Sequence, residues 1–376
     1  MFFLLNSWKF ILSSSSYKQS MDDGIEHLKI YDVISNLTNK EQRRKLFPVG
    51  SLRPVEKLCS VPECKAYKLH DSSYCRSHSL KFGEKLKEFQ GNIIESMEDE
   101  RYFKSIFGEN QDSWRNWKIV LKAIFNIRME PEEKEIYEQL TNRKTAPTEQ
   151  PREVFLVIGR RGGKSFIVSL IAVWLSFFRN YTKYLQKGER GYVTVIASDK
   201  SQTQIILQYI KALLSLPAFS KHVEKELKEQ IDLDNRISII VKTASVASPR
   251  GLTNIACIGD EVSHWAGENS TNPDMEIYTA LTPTILTIPN ALMLFISTPY
   301  SKSGLMYEKY QRYFGVRDKN TLVCQAPSQT MNPTLPTQVI EDELQRDPDG
   351  ARAEYLAVFR EDISGWLSHQ IIENAI

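Results

Sequence analysis

The chain holds 376 residues, enough for about two domains and for a sizeable buried core. Hydrophobic residues make up 41% and charged residues 25%, which excludes wholesale disorder and collagen-like or disulfide-scaffold architectures. Lys and Arg number 48 against 46 Asp and Glu, so the net charge of +2 gives no overall reason for a nucleic-acid partner; five cysteines suit a reducing compartment better than a disulfide framework.

Residues 1–30 read as an unstructured leader. The run MFFLLNSWKFIL lacks a basic start, carries Asn6 and Lys9, and is too short to span a bilayer, so no membrane association is expected. Translation starts at Met1 or Met21. Residues 31–90 form a basic segment, with 12 Lys/Arg against 6 Asp/Glu between Lys40 and Gln90. Within it, at 59–78, Cys59, Cys64, Cys75 and His78 are spaced C-x4-C-x10-C-x2-H. Three thiolates and one imidazole suit a closed, tetrahedral, structural Zn²⁺ in a zinc-knuckle-like module, whose metal would supply much of its folding energy. His70 is an alternative ligand, and reduced cysteines in a small core are the competing reading. The surplus charge with Tyr67, Tyr74 and Phe82 interleaved fits either DNA contact or protein docking.

Residues 91–150 read as helical, because Ile93, Ile94 and Met97, then Trp114, Trp117, Leu121 and Ile124, recur at helical spacing. The segment TAPTEQPRE, with Pro147 and Pro151, reads as a linker. Over 151–370 the pattern changes. Apolar runs at 154–158, 192–198, 237–243, 255–259 and 291–297 have strand length, with long crossovers between them. They predict an α/β fold: a mostly parallel sheet with helices on both faces. The mostly apolar run of 13 residues from Phe166 to Phe178 falls short of the ~20 a bilayer needs and reads as a buried helix. A last helical region spans 338–358.

Three strand ends carry chemistry. VFLVIGRRGGKSF is a strand, a glycine-rich turn and a helix. Gly159, Gly162 and Gly163 let backbone N–H groups approach an anion at a helix N-terminus, Lys164 can reach phosphates, and the Ser165 hydroxyl can hold Mg²⁺. Gly159 leaves three residues before Gly163-Lys164, one fewer than the generic phosphate-loop pattern. NIACIGDE ends a strand in Asp260, which suits Mg²⁺, and Glu261, which suits a general base or water-positioning group. ALMLFISTP ends in Ser297 and Thr298, placed to sense a γ-phosphate.

Together these motifs resemble the ATPase domain of phage terminase large subunits, a P-loop NTPase of the RecA/ASCE type. GRRGGKS is the compact terminase form of the loop. The segments DSWRNWKIVLKAIF, TNRKT, KGERGYVTVIASDKSQT, KTASVASPRGLTNIACIGDEVSHW, NPDMEIYTALTP, LFISTPYSKSGLMYEKY and EYLAVFREDISGWLS are similar to successive blocks of one prophage group, so the likeness covers roughly 111–370. It implies that Gly159, Arg160, Arg161, Gly162, Gly163, Lys164 and Ser165 bind ATP. It implies that Arg160 contacts the γ-phosphate in cis, that Asp260 and Ser165 hold Mg²⁺, and that Glu261 is the catalytic base. Ser297 and Thr298 become the motif coupling hydrolysis to movement on DNA. Arg143 and the Trp114–Trp117 region become the adenine side, although both tryptophans also read as core. Arg250 reads either as a bridge to nucleotide or a neighbouring subunit, or as a surface residue. The implied partners are double-stranded DNA, a portal protein and a small terminase subunit. The implied setting is a ring of identical subunits in the cytoplasm of a bacterial host cell.

Terminases usually continue into a nuclease domain, which is expected to be absent here. The acidic residues Glu341, Asp342, Glu343, Asp347 and Asp349 read as a solvated helix face. Two other readings stay open: another P-loop translocase or helicase, and a non-catalytic prophage remnant or zinc-module DNA-binding protein.

Overall fold

The computed structural model describes residues 89, 91–108, 111–245, 251–265 and 272–361. The expected leader, the zinc segment with Cys59, Cys64, Cys75 and His78, and Arg250 lie outside the described residues. Among the described residues no helix is long and apolar enough to cross a membrane.

Among the described residues four α-helices precede the sheet: α1 (Ile93–Glu98), α2 (Lys104–Phe107), α3 (Arg115–Ile124) and α4 (Pro131–Thr141). Asn92 starts α1 by accepting from the N–H groups of Ile94 and Glu95, and the Glu95 carboxylate returns to the Asn92 N–H. On α3 the periodic positions Trp117, Leu121 and Ile124 are all buried. α4 begins with Pro131 and ends at Asn142, whose φ of 54° is a left-handed stop.

The sheet begins with β1 (Glu153–Ile158), followed by α5 (Lys164–Phe178), β2 (Gly191–Ala197), α6 (Lys200–Leu214) and the short α7 (Pro217–Ser220). Next come β3 (Val223–Glu226), β4 (Gln230–Leu233), β5 (Ile237–Thr243), β6 (Thr253–Asp260), α8 (Pro273–Leu281) and β7 (Leu292–Ser297). The last elements are α9 (Gly304–Tyr313), β8 (Thr321–Ala326), α10 (Ser328–Met331), α11 (Thr337–Arg346) and α12 (Pro348–Leu356). All five expected strands form. β3, β4 and β8 were not expected. β3 (VEKE) has no buried face and hence no apolar signal, while β8 (TLVCQA) mixes small and polar residues into a buried strand.

The strand order is β3-β4-β5-β2-β6-β7-β1-β8. Pairing is parallel from β5 to β8, and β3 and β4 add an antiparallel edge. Every residue of β7 is buried. Successive strand residues point to opposite faces, so both faces there are covered. The apolar run after the glycine turn became α5, which packs on β2, β5 and β6 and beneath α6. Its Ile167, Val168, Leu170, Ile171, Val173 and Leu175 are fully buried, which explains why the run is apolar on all sides.

The order matters for the site because β7 lies between β1 and β6. Val157 of β1 pairs with Ser297, and Asp260 of β6 pairs with Ile296. Three strand ends therefore finish side by side at one edge, where a parallel sheet keeps its ligand chemistry.

Candidate nucleotide site

The loop after β1 can only be built with glycine at its first position. A Cβ on Gly159 would sit 2.7 Å from the Ser328 nitrogen and 2.9 Å from the Tyr355 carbonyl oxygen, both backbone atoms that cannot yield. Gly163 has a φ of 87° and caps the N-terminus of α5. Arg161 also holds the left-handed region, at φ 62°, which costs about 1–2 kcal/mol for a residue with a Cβ.

Lys164 is buried. Its Nζ donates to Thr298 Oγ1 at 2.7 Å and to the carbonyls of Ile158 and Gly159 at 3.3 and 3.4 Å, and it lies 3.2 Å from Glu261 Oε1. The Ser165 hydroxyl donates to Asp260 Oδ2 at 3.0 Å. Glu261 turns off the end of β6 in a left-handed conformation, φ 50° and ψ 47°. Its Oε2 accepts from the Thr298 N–H at 3.1 Å and from the Ser297 hydroxyl at 3.3 Å. A non-glycine residue held there is backbone strain concentrated at a chemically active group. The structure therefore brings Lys164, Ser165, Asp260, Glu261, Ser297 and Thr298 into one contact network, drawn from the start of α5 and the ends of β6 and β7.

Asp260 is wholly buried, and among the described residues its Oδ1 has no hydrogen-bond partner. Burial, and next the neighbouring Glu261 charge, push its carboxyl from 3.8 up to about 7, although Lys164 and Ser165 pull the other way. An orphaned carboxylate oxygen beside a serine hydroxyl is a donor set of hard oxygens, which fits Mg²⁺.

The arginines are placed differently. Arg160 points to α12: its N–H donates to the Glu354 carbonyl at 2.5 Å, and its guanidinium meets the Glu354 carboxylate at 3.1 Å. Its side chain is 62% exposed. Arg143 lies at the opposite end of the sheet from the loop. It is buried, and its Nη2 donates to the Tyr313 and Thr321 carbonyls at 3.2 and 2.8 Å. Thr321 pairs with Glu153 at the start of β1, while the loop leaves the other end at Ile158, so the expected adenine-side position does not match this placement. Arg143→Met is expected to cost about 2–4 kcal/mol of stability by orphaning two carbonyls, with nucleotide affinity unmoved. Urea unfolding and a binding titration read the two effects.

The tryptophans divide. Trp117 is fully buried, and its indole N–H donates to the Gly162 carbonyl at 2.7 Å. Trp114 is partly buried and packs on Phe107 and Phe166, with ring centroids 5.3 and 5.2 Å apart. A Cβ on Gly163 would touch the Trp114 ring at 3.4 Å, so an aromatic wall flanks the loop. Sequence reasoning missed Ser328, Asn332 and Glu354. They reach the loop from 168 to 194 residues away and carry no local signal. The acidic residues of α11 and α12 are mostly exposed, and Asp347 caps α12 by accepting from the Gly350 N–H at 3.0 Å. Among the described residues no group of three His, Cys, Asp or Glu is arranged to hold a metal ion.

Among solved structures, the chain is similar to the large terminase of bacteriophage HK97, at 17% identity and a TM-score of 0.46, over 62% of this chain and 51% of that one. It is similar to the ATPase domain of the Thermus phage P74-26 large terminase, at 21% identity and a TM-score of 0.44, over 62% of this chain and all of that one. It is also similar to the large terminase of another thermophilic bacteriophage in complex with ADP, at 14% identity and a TM-score of 0.43, over 60% of this chain and 53% of that one. The chain thus spans about half the length of the HK97 protein and of the ADP-bound terminase. No curated protein matches. The family model described as "Uncharacterized protein MJ0330, N-terminal P-loop domain" matches residues 74–357, most of the chain and all of the sheet, and the chain belongs to that P-loop family.

Proposed function

We propose that the chain is an Mg²⁺-dependent ATPase of the DNA-packaging motor type. The observation that supports this most directly is the convergence of Lys164, Ser165, Asp260, Glu261 and Thr298 at three adjacent strand ends. Mg²⁺, when bound, would neutralise phosphate charge and orient the transferred group. Asp260 and Ser165 would hold it. The loop N–H groups and Lys164 hold the β- and γ-phosphates, and Trp114 and Phe166 offer an apolar wall to the base. Glu261 accepts a proton from the attacking water. Its carboxylate is held in place by the Thr298 N–H and the Ser297 hydroxyl, so loss of the γ-phosphate is felt at once by the end of β7. Arg160 serves the γ-phosphate after leaving Glu354. The work is done on double-stranded DNA, with a portal protein, a small subunit and a ring of identical chains as partners, in the cytoplasm of a bacterial host.

In domain terms, residues 151–370 would be the ATPase core, 91–150 its base-side segment, and 31–90 a zinc module in which Cys59, Cys64, Cys75 and His78 would hold one structural Zn²⁺. Metal analysis is expected to give about one Zn per chain, lost in the Cys59→Ser, Cys64→Ser double variant.

The central experiment is phosphate release by the intact chain with and without duplex DNA. Expected are Mg²⁺-dependent hydrolysis, stimulation by DNA, and a loss of at least about 100-fold in Lys164→Ala. No hydrolysis in either condition overturns the ATPase reading. Hydrolysis indifferent to DNA leaves the ATPase and removes the motor.

A further inference from the structure

Three consecutive carbonyls of the phosphate loop are each taken by a side chain from outside it. Arg160 O accepts from the Ser328 hydroxyl at 2.6 Å, Arg161 O from Asn332 Nδ2 at 3.1 Å, and Gly162 O from Trp117 Nε1 at 2.7 Å. The donors stand on separate elements, α3 and the two ends of α10. Asn116 of α3 ties these elements together by donating to the Thr330 carbonyl at 2.6 Å.

A trans peptide is planar, so its N–H points opposite to its C=O, and the described residues contain no cis bond. Holding Arg160 O outward therefore turns the Arg161 N–H inward. Holding Gly162 O outward does the same for Gly163. The third bond, on Arg161 O, turns the Gly162 N–H back across the loop, where it closes on Gly159 O at 3.3 Å. Among the described residues the N–H groups of Arg161, Gly163, Lys164 and Ser165 have no hydrogen-bond partner. Positive φ at Arg161 and Gly163, with Gly162 between them on the ordinary side, is the alternation that gathers successive N–H groups into an anion-binding nest.

We propose that Trp117, Ser328 and Asn332 are positioning residues that set the peptide planes of the phosphate loop before any nucleotide arrives. The proposal rests on the reading of this loop as the triphosphate site. Trp117 and Ser328 aim N–H groups at the anion, and Asn332 keeps the loop closed and holds Arg161 in its left-handed conformation. Because the donors lie outside the loop, they act on polyphosphate binding as such and not on the base.

The test is calorimetric titration of the intact chain with tripolyphosphate and with ADP, each with Mg²⁺, and thermal unfolding of every variant alongside. Trp117→Phe keeps an aromatic ring and removes the donor. Ser328→Ala removes a hydroxyl that Ser328→Thr restores. Expected are about tenfold weaker tripolyphosphate and ADP binding in Trp117→Phe and in Ser328→Ala, about threefold weaker binding in Asn332→Ala, and recovery in Ser328→Thr. If Trp117→Phe does not fold, the Ser328 pair and Asn332→Ala decide. Folded variants that bind tripolyphosphate like wild type overturn the proposal, as does equal weakening in Ser328→Ala and Ser328→Thr. A wild-type chain that binds neither tripolyphosphate nor ADP overturns instead the reading of the site on which the proposal rests.

Discussion

Glu261→Gln is expected to lower ATP turnover by about 10²–10⁴-fold while nucleotide binding stays within about threefold of wild type. The amide preserves the side chain's volume and can still accept from the Thr298 N–H and the Ser297 hydroxyl, which hold the carboxylate at 3.1 and 3.3 Å. It cannot accept a proton from water. The substitution also removes the charge 3.2 Å from the Lys164 ammonium, which frees that lysine for phosphate and works against any loss of affinity. Turnover and binding should therefore separate, and a single-turnover assay beside a binding titration measures both. Unchanged turnover would remove Glu261 from the role of base.

Asp260→Asn is expected to abolish Mg²⁺-dependent hydrolysis and, without Mg²⁺ or nucleotide, to stabilise the protein by about 1–3 kcal/mol at pH 8. The wild-type carboxylate is wholly buried with one oxygen unpartnered and Glu261 next to it. The folded chain thus carries a charge there at a cost that the unfolded chain avoids. Its carboxyl is raised from 3.8 to about 7, so the folded state holds its proton more tightly than the unfolded state. Wild-type stability should fall as pH rises from about 4 through about 7, by up to ~4 kcal/mol, and the asparagine variant should not follow that decline. Urea unfolding at pH 5 and pH 8 without Mg²⁺ compares the two. A variant less stable than wild type at pH 8 contradicts the account. Instability stored at a proposed cation site matches the general trade between stability and activity.

Much of this was legible along the chain. The five buried strands read correctly because a fully covered parallel strand is a bare apolar run. The strand, turn and helix around Lys164 were legible because strand, glycines, Lys164-Ser165 and helix are contiguous. Asp260-Glu261 and Ser297-Thr298 stood out because each follows such a run directly. The edge strand β3 did not, since residues exposed on both faces have no reason to alternate. The place of Arg143 was not legible for a similar reason: an arginine after a helix stop has the same local context whether it faces a base or, as here, donates to the carbonyls of Tyr313 and Thr321. Trp117 reads from the sequence as helical core or as part of the adenine side, and neither reading shows that its indole N–H donates to the Gly162 carbonyl.

The sequence by itself determined the α/β class, the strands that carry the chemistry and the identity of the groups at their ends, because those depend on neighbouring residues and on burial. Only the tertiary structure decided that β7 runs between β1 and β6, so that Thr298 touches both Lys164 and Glu261. It alone decided that Ser328, Asn332 and Glu354 close on Arg160 and Arg161 from more than 160 residues away. A hydrogen bond from a distant side chain to a backbone carbonyl places no demand on the residues beside either partner. It leaves no pattern in the sequence and appears only when the chain has folded.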